Sequence, residues 1–336
     1  QICSFIFLLP FISCHNYSTI MILAAVYPPN SACDEEDPFN PDKIYGIMRG
    51  VIEDNWSDPD KMGGCRIRVF GIHTSLKNKN DVENKLAQRM LGLLPHVAVP
   101  KKSYFPIHAY LEDTYRRFAE SVRTFRTSLL LTHLDRAHQV IAVTSTSPGE
   151  GKTTTSANLA MSLAQMGKVL LIDADLRKPT LAKRFDIPVF HPGLSNLIVG
   201  TEQLSECTHI DEQSGVTIMP SGQIPGNPLE LLSSNRFNEL LVSLKETYDH
   251  IIIDTPPTQA VSDALVISQN TDSVIYVVKA DLTRIKTTKA GIERLFESKA
   301  HIAGVVVNQV DITKSKEEHN YGYYDYYDYS QKSEQS

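Results

Sequence analysis

"VIAVTSTSPGEGKTTTSANLAMSL", residues 140–163, decides the fold. It opens as a β-branched apolar run and turns through small residues. It then continues with the composition of a helix. Gly149, Gly151, Lys152 and Thr153 fit a phosphate-binding loop set between a strand and a helix, the context such a motif needs. Glycines let the backbone curl until its N–H groups face a phosphate, and the helix N-terminus adds positive potential. Lys152 supplies a full charge near the β- and γ-phosphates, and Thr153 offers a hydroxyl to Mg²⁺. Thr146 stands where the motif usually starts with glycine. The candidate nucleotide contacts are therefore Ser147, Pro148, Gly149, Glu150, Gly151, Lys152, Thr153 and Thr154.

Around this stretch, short Val/Ile-rich runs alternate with helical segments: "QVIAVTS", "KVLLIDA", "VTIMPS", "HIIIDTP", "SVIYVV" and "IAGVVVNQV". That alternation predicts an α/β fold, a doubly wound and mostly parallel sheet covered by helices on both faces. Such sheets bind ligands beyond the carboxyl ends of their strands. Two of the runs end in acids, "VLLIDADLRKP" with Asp173 and Asp175 and "IIIDTPP" with Asp254. A lone Asp after a strand is usually a cap or turn residue. Three at one edge, beside a phosphate loop, suit a metal–nucleotide complex, because Mg²⁺ takes few carboxylates, waters and substrate phosphates. Upstream, Leu111, Tyr115, Phe118, Val122, Phe125 and Leu129 form one apolar stripe of a predicted helix. "DVENKLAQRMLGLLPHV" reads as a short helix followed by a turn.

The chain has 336 residues, 42% hydrophobic and 21% charged, which describes a globular protein with room for two domains. A net charge of -6 gives no reason to expect nucleic acid as a partner. Five cysteines without metal-ligand spacing argue against a zinc site or a disulfide framework, and the main body reads as cytoplasmic. Residues 1–43 read as an apolar, irregular segment whose two runs are too short to span a membrane. Residues 44–80 read as a β-hairpin and linker. Two strand-like runs flank "NWSDPDKMGG", in a pattern that resembles the first hairpin of the OB-fold module of phage baseplate hub proteins. Residues 81–311 form the P-loop domain. Residues 312–336 form a polar tail expected to be disordered, carrying Tyr321, Tyr323, Tyr324, Tyr326, Tyr327 and Tyr329.

"TSTSPGEGKTT", "LLIDADLRKP" and "IIIDTPP" together resemble the Walker A, A′ and B motifs of the bacterial tyrosine kinases. "GNPLELLSS" at 226–234, the ExxRxxR spacing of Glu120, Arg123 and Arg126, and the tyrosine-rich tail resemble that family too. The resemblance covers roughly residues 81–330. It implies ATP and Mg²⁺ as cofactors. Lys152, Asp173 and Asp175 are then catalytic, with Asp173 as the base for an incoming tyrosine. Thr153, Asp175 and Asp254 hold the metal, and Asn308 lies near the adenine.

The six tail tyrosines become the phosphoacceptors. From Val310 to Tyr329 the chain can extend up to roughly 60 Å, enough to reach its own site or a neighbour's. The resemblance further implies transfer in trans within a ring such as an octamer, with Glu120, Arg123 and Arg126 at the contact. Read without the resemblance, those three form a solvated helix face with ordinary i,i+3 pairing. Phosphorylation, at about -1.5 to -2 charges per tyrosine, is then expected to loosen the ring. A membrane co-polymerase or activator and a tyrosine phosphatase are the implied partners. The implied role is control of exopolysaccharide or capsule export from the inner face of the cell membrane. The alternative is a MinD/ParA-like ATPase, a partner-controlled switch. That family carries an additional lysine where this chain has Ser147, and it lacks a tyrosine tail.

Overall fold

The computed structural model describes residues 76, 79–97, 105–132 and 138–311, and the strands within 19–23, 47–54 and 66–69. The chain divides into two compact units, residues 1–74 and 75–336.

The first unit contains a three-stranded antiparallel sheet of β1 (Thr19–Leu23), β2 (Ile47–Asp54) and β3 (Arg66–Val69), in that order. β2 and β3 are the two runs expected to form a hairpin. β1 comes from the segment expected to be irregular. Its "TIMIL" run satisfies its backbone groups by pairing with β2, from Thr19 opposite Val51 to Leu23 opposite Ile47. Among the described residues no helix is long and apolar enough to cross a membrane.

The second unit is built on β4 (Met90–Pro95), β5 (Val140–Ser145), β6 (Val169–Asp173), β7 (His209–Ile210), β8 (Thr217–Met219), β9 (His250–Asp254), β10 (Ser273–Lys279) and β11 (Ile302–Val310). They lie in the order β4-β11-β10-β5-β9-β6-β8-β7, parallel throughout except for β7 against β8. The helices between them begin with α1 (Lys79–Leu86), α2 (Arg116–Leu130), α3 (Lys152–Ala164), α4 (Leu181–Arg184) and α5 (Leu194–Val199). They are followed by α6 (Pro228–Leu232), α7 (Asn235–Lys245), α8 (Asp263–Gln269) and α9 (Ile285–Glu297).

Side chains alternate across the sheet, and each face has its own core. Val140, Ala142 and Tyr276 pack with Phe237, Leu241, Ile267 and Ile292 of α7, α8 and α9. Ile141, Val143 and Ile275 pack on the opposite face with Val122 and Phe125 of α2 and Leu159 and Leu163 of α3. Helices thus cover both faces, as the alternating pattern predicts.

All six predicted strands form. β4 and β7 are additional. The helix read at "DVENKLAQRMLGLLPHV" stops at Leu86, and "MLGLLP" becomes a buried edge strand. A short continuous apolar run carries no period that separates strand from helix. α2 also begins later than its stripe suggests. Leu111 and Tyr115 precede it, Tyr115 in a 3-10 turn at Asp113–Tyr115, yet both still pack on the α2 core. Phe125 is fully buried, and a Cβ on Gly92 would lie 2.9 Å from its own Cβ, so α2 and β4 approach closely. Phe125→Ala is expected to cost about 3–5 kcal/mol of stability. Chemical unfolding measures this, and a loss under about 1 kcal/mol would mean that α2 is anchored elsewhere.

Candidate phosphoryl-transfer site

β5, β9 and β6 are adjacent and parallel, so their carboxyl ends form one edge. Val143 pairs with Asp254, and Asp254 pairs with Asp173. Strand register alone therefore places the two acids side by side. The loop Thr146–Gly151 leaves β5 at this edge, and α3 opens at Lys152. Gly151 has φ +92, and a Cβ there would sit 2.0 Å from Asn308 Nδ2, so both backbone and space require glycine.

Lys152 Nζ lies 3.2 Å from Asp175 Oδ2, and both side chains are largely buried. Burial works against the ammonium, but Asp254, Asp175 and Asp173 outweigh it and hold the Lys152 pKa above its usual value. Thr153 Oγ1 donates to Asp254 Oδ2 at 2.6 Å, and Ser156 Oγ donates to Asp254 Oδ1 at 3.2 Å. Burial pushes the Asp254 carboxyl upward, against the pull of Lys152 and Thr153. Asp173 is fully buried. Its Oδ2 accepts from the backbone N–H groups of Thr180 and Leu181, both at 2.9 Å, and its Oδ1 accepts from that of Asp175 at 3.2 Å. Burial first, and then Asp254, push Asp173 up to about 7. One ammonium among three carboxylates leaves local negative charge. The hard oxygens of Thr153, Asp175 and Asp254 suit a divalent cation such as Mg²⁺.

The loop is held from behind by residues without a motif. Glu150 is 3% exposed, and its carboxylate turns into the fold. It accepts from the Ser147 N–H at 2.8 Å and from the Thr283 hydroxyl. Burial raises its pKa, against these hydrogen bonds. The Glu150 side chain, counted among the nucleotide contacts by sequence, is thus a brace, which leaves only its backbone for a phosphate. Asn308 donates to the Glu150 carbonyl at 2.9 Å, and Tyr276 Oη donates to Thr146 Oγ1 at 3.1 Å. Beside the loop lies a cleft of about 180 Å³, lined by His96, Phe105, Phe118, Gly151, Thr154 and Asn308 among others.

Residues 138–312 match a family model described as an AAA domain. The tyrosine-protein kinase YwqD of Bacillus subtilis (strain 168) is 37% identical over 207 residues, covering 61% of this chain and 86% of that protein. The chain belongs to the bacterial tyrosine kinases. The tyrosine-protein kinase ptk of Acinetobacter johnsonii is 33% identical over 295 residues, 84% of this chain but 39% of that longer protein. The kinase domain of the Escherichia coli tyrosine kinase ETK superposes with a TM-score of 0.65 at 29% identity, over 70% of this chain and 96% of that one.

The kinase brings its predicted Walker residues together: Lys152, Thr153, Asp173, Asp175 and Asp254 form one hydrogen-bonded and ion-paired cluster. Ser147 and Thr154 are partly buried, and Pro148 and Gly149 are exposed. The six tail tyrosines lie outside the described residues. Glu120 pairs with Arg123 one helical turn on, each 41% exposed. Arg123 also sits 5.4 Å over the Tyr110 ring. Arg126 donates to the Ser162 carbonyl of α3 at 2.6 Å. Tyr110 in turn donates from its backbone to Asn158 Oδ1 at 2.8 Å and from its hydroxyl to Gln165 Oε1 at 2.9 Å. The three motif residues are thus tied, directly or through Tyr110, to the helix that starts at the phosphate loop.

Sequence reading also missed a clamp. Arg177 donates to both oxygens of Asp263, at 2.7 and 3.0 Å, joining the loop after β6 to α8. Asp263 is fully buried, whereas the Arg177 side chain is 40% exposed. Removing either partner should therefore have unequal effects. Arg177→Ala strands a buried carboxylate and should cost about 2–4 kcal/mol. Asp263→Asn leaves a guanidinium that water can solvate and should cost about 1 kcal/mol. Equal losses on thermal unfolding of the two variants would contradict this.

Proposed function

We propose that this kinase transfers the γ-phosphoryl group of ATP to the tyrosines at 321, 323, 324, 326, 327 and 329 of its own chain. The observation that carries the reading is the cluster of Lys152, Thr153, Asp175 and Asp254, with Asp173 raised to about 7 at the same strand edge. Tyrosine titrates near pH ~10 and needs a base at neutral pH. Asp173 Oδ1 carries one long N–H bond, whereas Oδ2 carries two shorter ones, so Oδ1 is the oxygen that takes the phenol proton. The tyrosine oxygen then bonds to the γ-phosphorus as the bond to ADP breaks. Lys152 offsets charge on the transferring group. When bound, Mg²⁺ would neutralise phosphate charge, held by Thr153, Asp175 and Asp254. The loop from Ser147 to Thr154 wraps the phosphates, and the adenine lodges in the cleft beside Asn308 and Thr154.

Residues 81–311 are the kinase domain and 312–336 its substrate tail in this reading. Transfer runs in trans within a ring such as an octamer, closed through the Glu120, Arg123 and Arg126 face, and phosphorylation loosens that ring. The kinase acts on the cytoplasmic face of the membrane through a co-polymerase partner, opposed by a phosphatase, in exopolysaccharide or capsule export.

Peptide mass spectrometry after incubation with Mg-ATP tests the reading. Phosphate is expected on the 320–330 peptide of the wild type and is expected to vanish when all six tyrosines are Phe. ATP hydrolysis without phosphotyrosine would point instead to a partner-switched ATPase.

A further inference from the structure

Val189 and Phe190 are 89% and 92% exposed, the highest values among the large hydrophobic residues described, and Ile224 is 59% exposed. Clustered exposure of this kind marks interaction surfaces, whereas isolated apolar residues do not. The two loops that carry them are joined. Leu194 N–H donates to the Pro220 carbonyl at 2.8 Å, and Ser195 N–H donates to the Ser221 carbonyl at 3.0 Å. Ser195 Oγ donates to the Gln223 carbonyl at 2.5 Å. Both loops are anchored at the catalytic edge of the sheet. The first follows α4, whose opening N–H caps Asp173, and the second leaves the carboxyl end of β8, the strand beside β6. Lys178 stands between Asp175 and α4, and it is exposed with no ion pair among the described residues.

We propose that Val189, Phe190, Ile224 and Lys178 form the landing surface for the tyrosine-rich segment 320–330. This rests on the reading of the site as a tyrosine kinase and adds what selects its acceptor. Three facts identify the occupant. The described chain ends just past β11, a parallel strand, so the remaining 25 residues leave from the same edge as the site. The segment holds six tyrosines with Asp325 and Asp328, which offers rings to the apolar rim and carboxylates to Lys178. Its tyrosines run from 321 to 329, roughly 26 Å when extended at ~3.3 Å per residue. One phenol can therefore occupy the site while others lie on the rim. The density of the row follows: most of its rings act as anchors for the one that reacts.

The experiment uses the full chain with its six tail tyrosines changed to Ser, so that its own tail does not compete. A synthetic peptide of residues 318–332 is the acceptor. Phosphotransfer kinetics and anisotropy of the labelled peptide are compared between this parent and a Val189→Ser/Phe190→Ser version. Peptide KM and Kd should rise on the order of tenfold, the scale of losing a buried aromatic contact. kcat, KM for ATP and the melting temperature should not change, since both side chains are exposed. Unchanged peptide KM and Kd would overturn the proposal, and a smaller solution mass with them would assign the rim to contacts between copies. Peptide that binds the parent more tightly than the variant, with transfer by neither, would uphold the surface and overturn the kinase reading.

Discussion

Lys152→Met should reduce phosphotyrosine formation by about 10³-fold or more while the protein still folds. Removing a single preorganised donor to a developing oxyanion costs ≈ 10²–10³ in rate. Lys152 supplies a full charge and faces Asp175, Asp254 and Asp173, so its loss also leaves three carboxylates without their ammonium. Like charges held this close cannot all stay ionised, and the variant should take up a proton at neutral pH. The loss is then larger at pH 6.5 than at 8.5 by an order of magnitude or so, because a protonated Asp254, already pushed upward by burial, would no longer serve a metal. Phosphopeptide quantitation at the two pH values, with circular dichroism as the folding control, decides this. A variant that keeps more than about a tenth of the wild-type rate would remove Lys152 from the transfer step.

Asp173→Asn should lower transfer by ~10²–10⁴, the range for losing a positioned base, and should flatten its dependence on pH. In the wild type the rate should climb as pH rises towards and through about 7, where burial and the neighbouring Asp254 place this carboxyl. Stability runs the other way. The folded protein keeps a proton that the unfolded chain releases near its ordinary value of 3.8. The contribution is whole below pH ~4 and is lost as pH rises through about 7. Asn does not titrate, so the variant should be less destabilised, relative to wild type, at pH 8 than at pH 5. Melting curves in chelator, without nucleotide, provide the check. A difference that does not vary with pH would show that Asp173 is not raised.

What the sequence revealed was local in the chain. A strand, a glycine turn and a lysine at a helix start lie within a dozen residues, and each acid ends an apolar run. "MLGLLP" was harder, because a run of apolar residues without a polar partner has no period to read. The braces were invisible for a different reason. Glu150 meets Thr283 across 133 residues, Tyr276 meets Thr146 across 130, and Arg177 meets Asp263 across 86. Nothing near any of these residues in sequence announces its partner. The motif alone makes Glu150 a nucleotide contact, and only the fold shows which way its side chain turns.

Arg126 and Arg123 already have company within their own chain, the Ser162 carbonyl and the Tyr110 ring. A molecule that docks on this face of α2 through the same donors competes with those bonds, and its affinity is then the difference between old contacts and new. Such an exchange favours closure that reverses readily over permanent association. It also means that undocking restores, at the far end of α3, the same bonds that docking displaced.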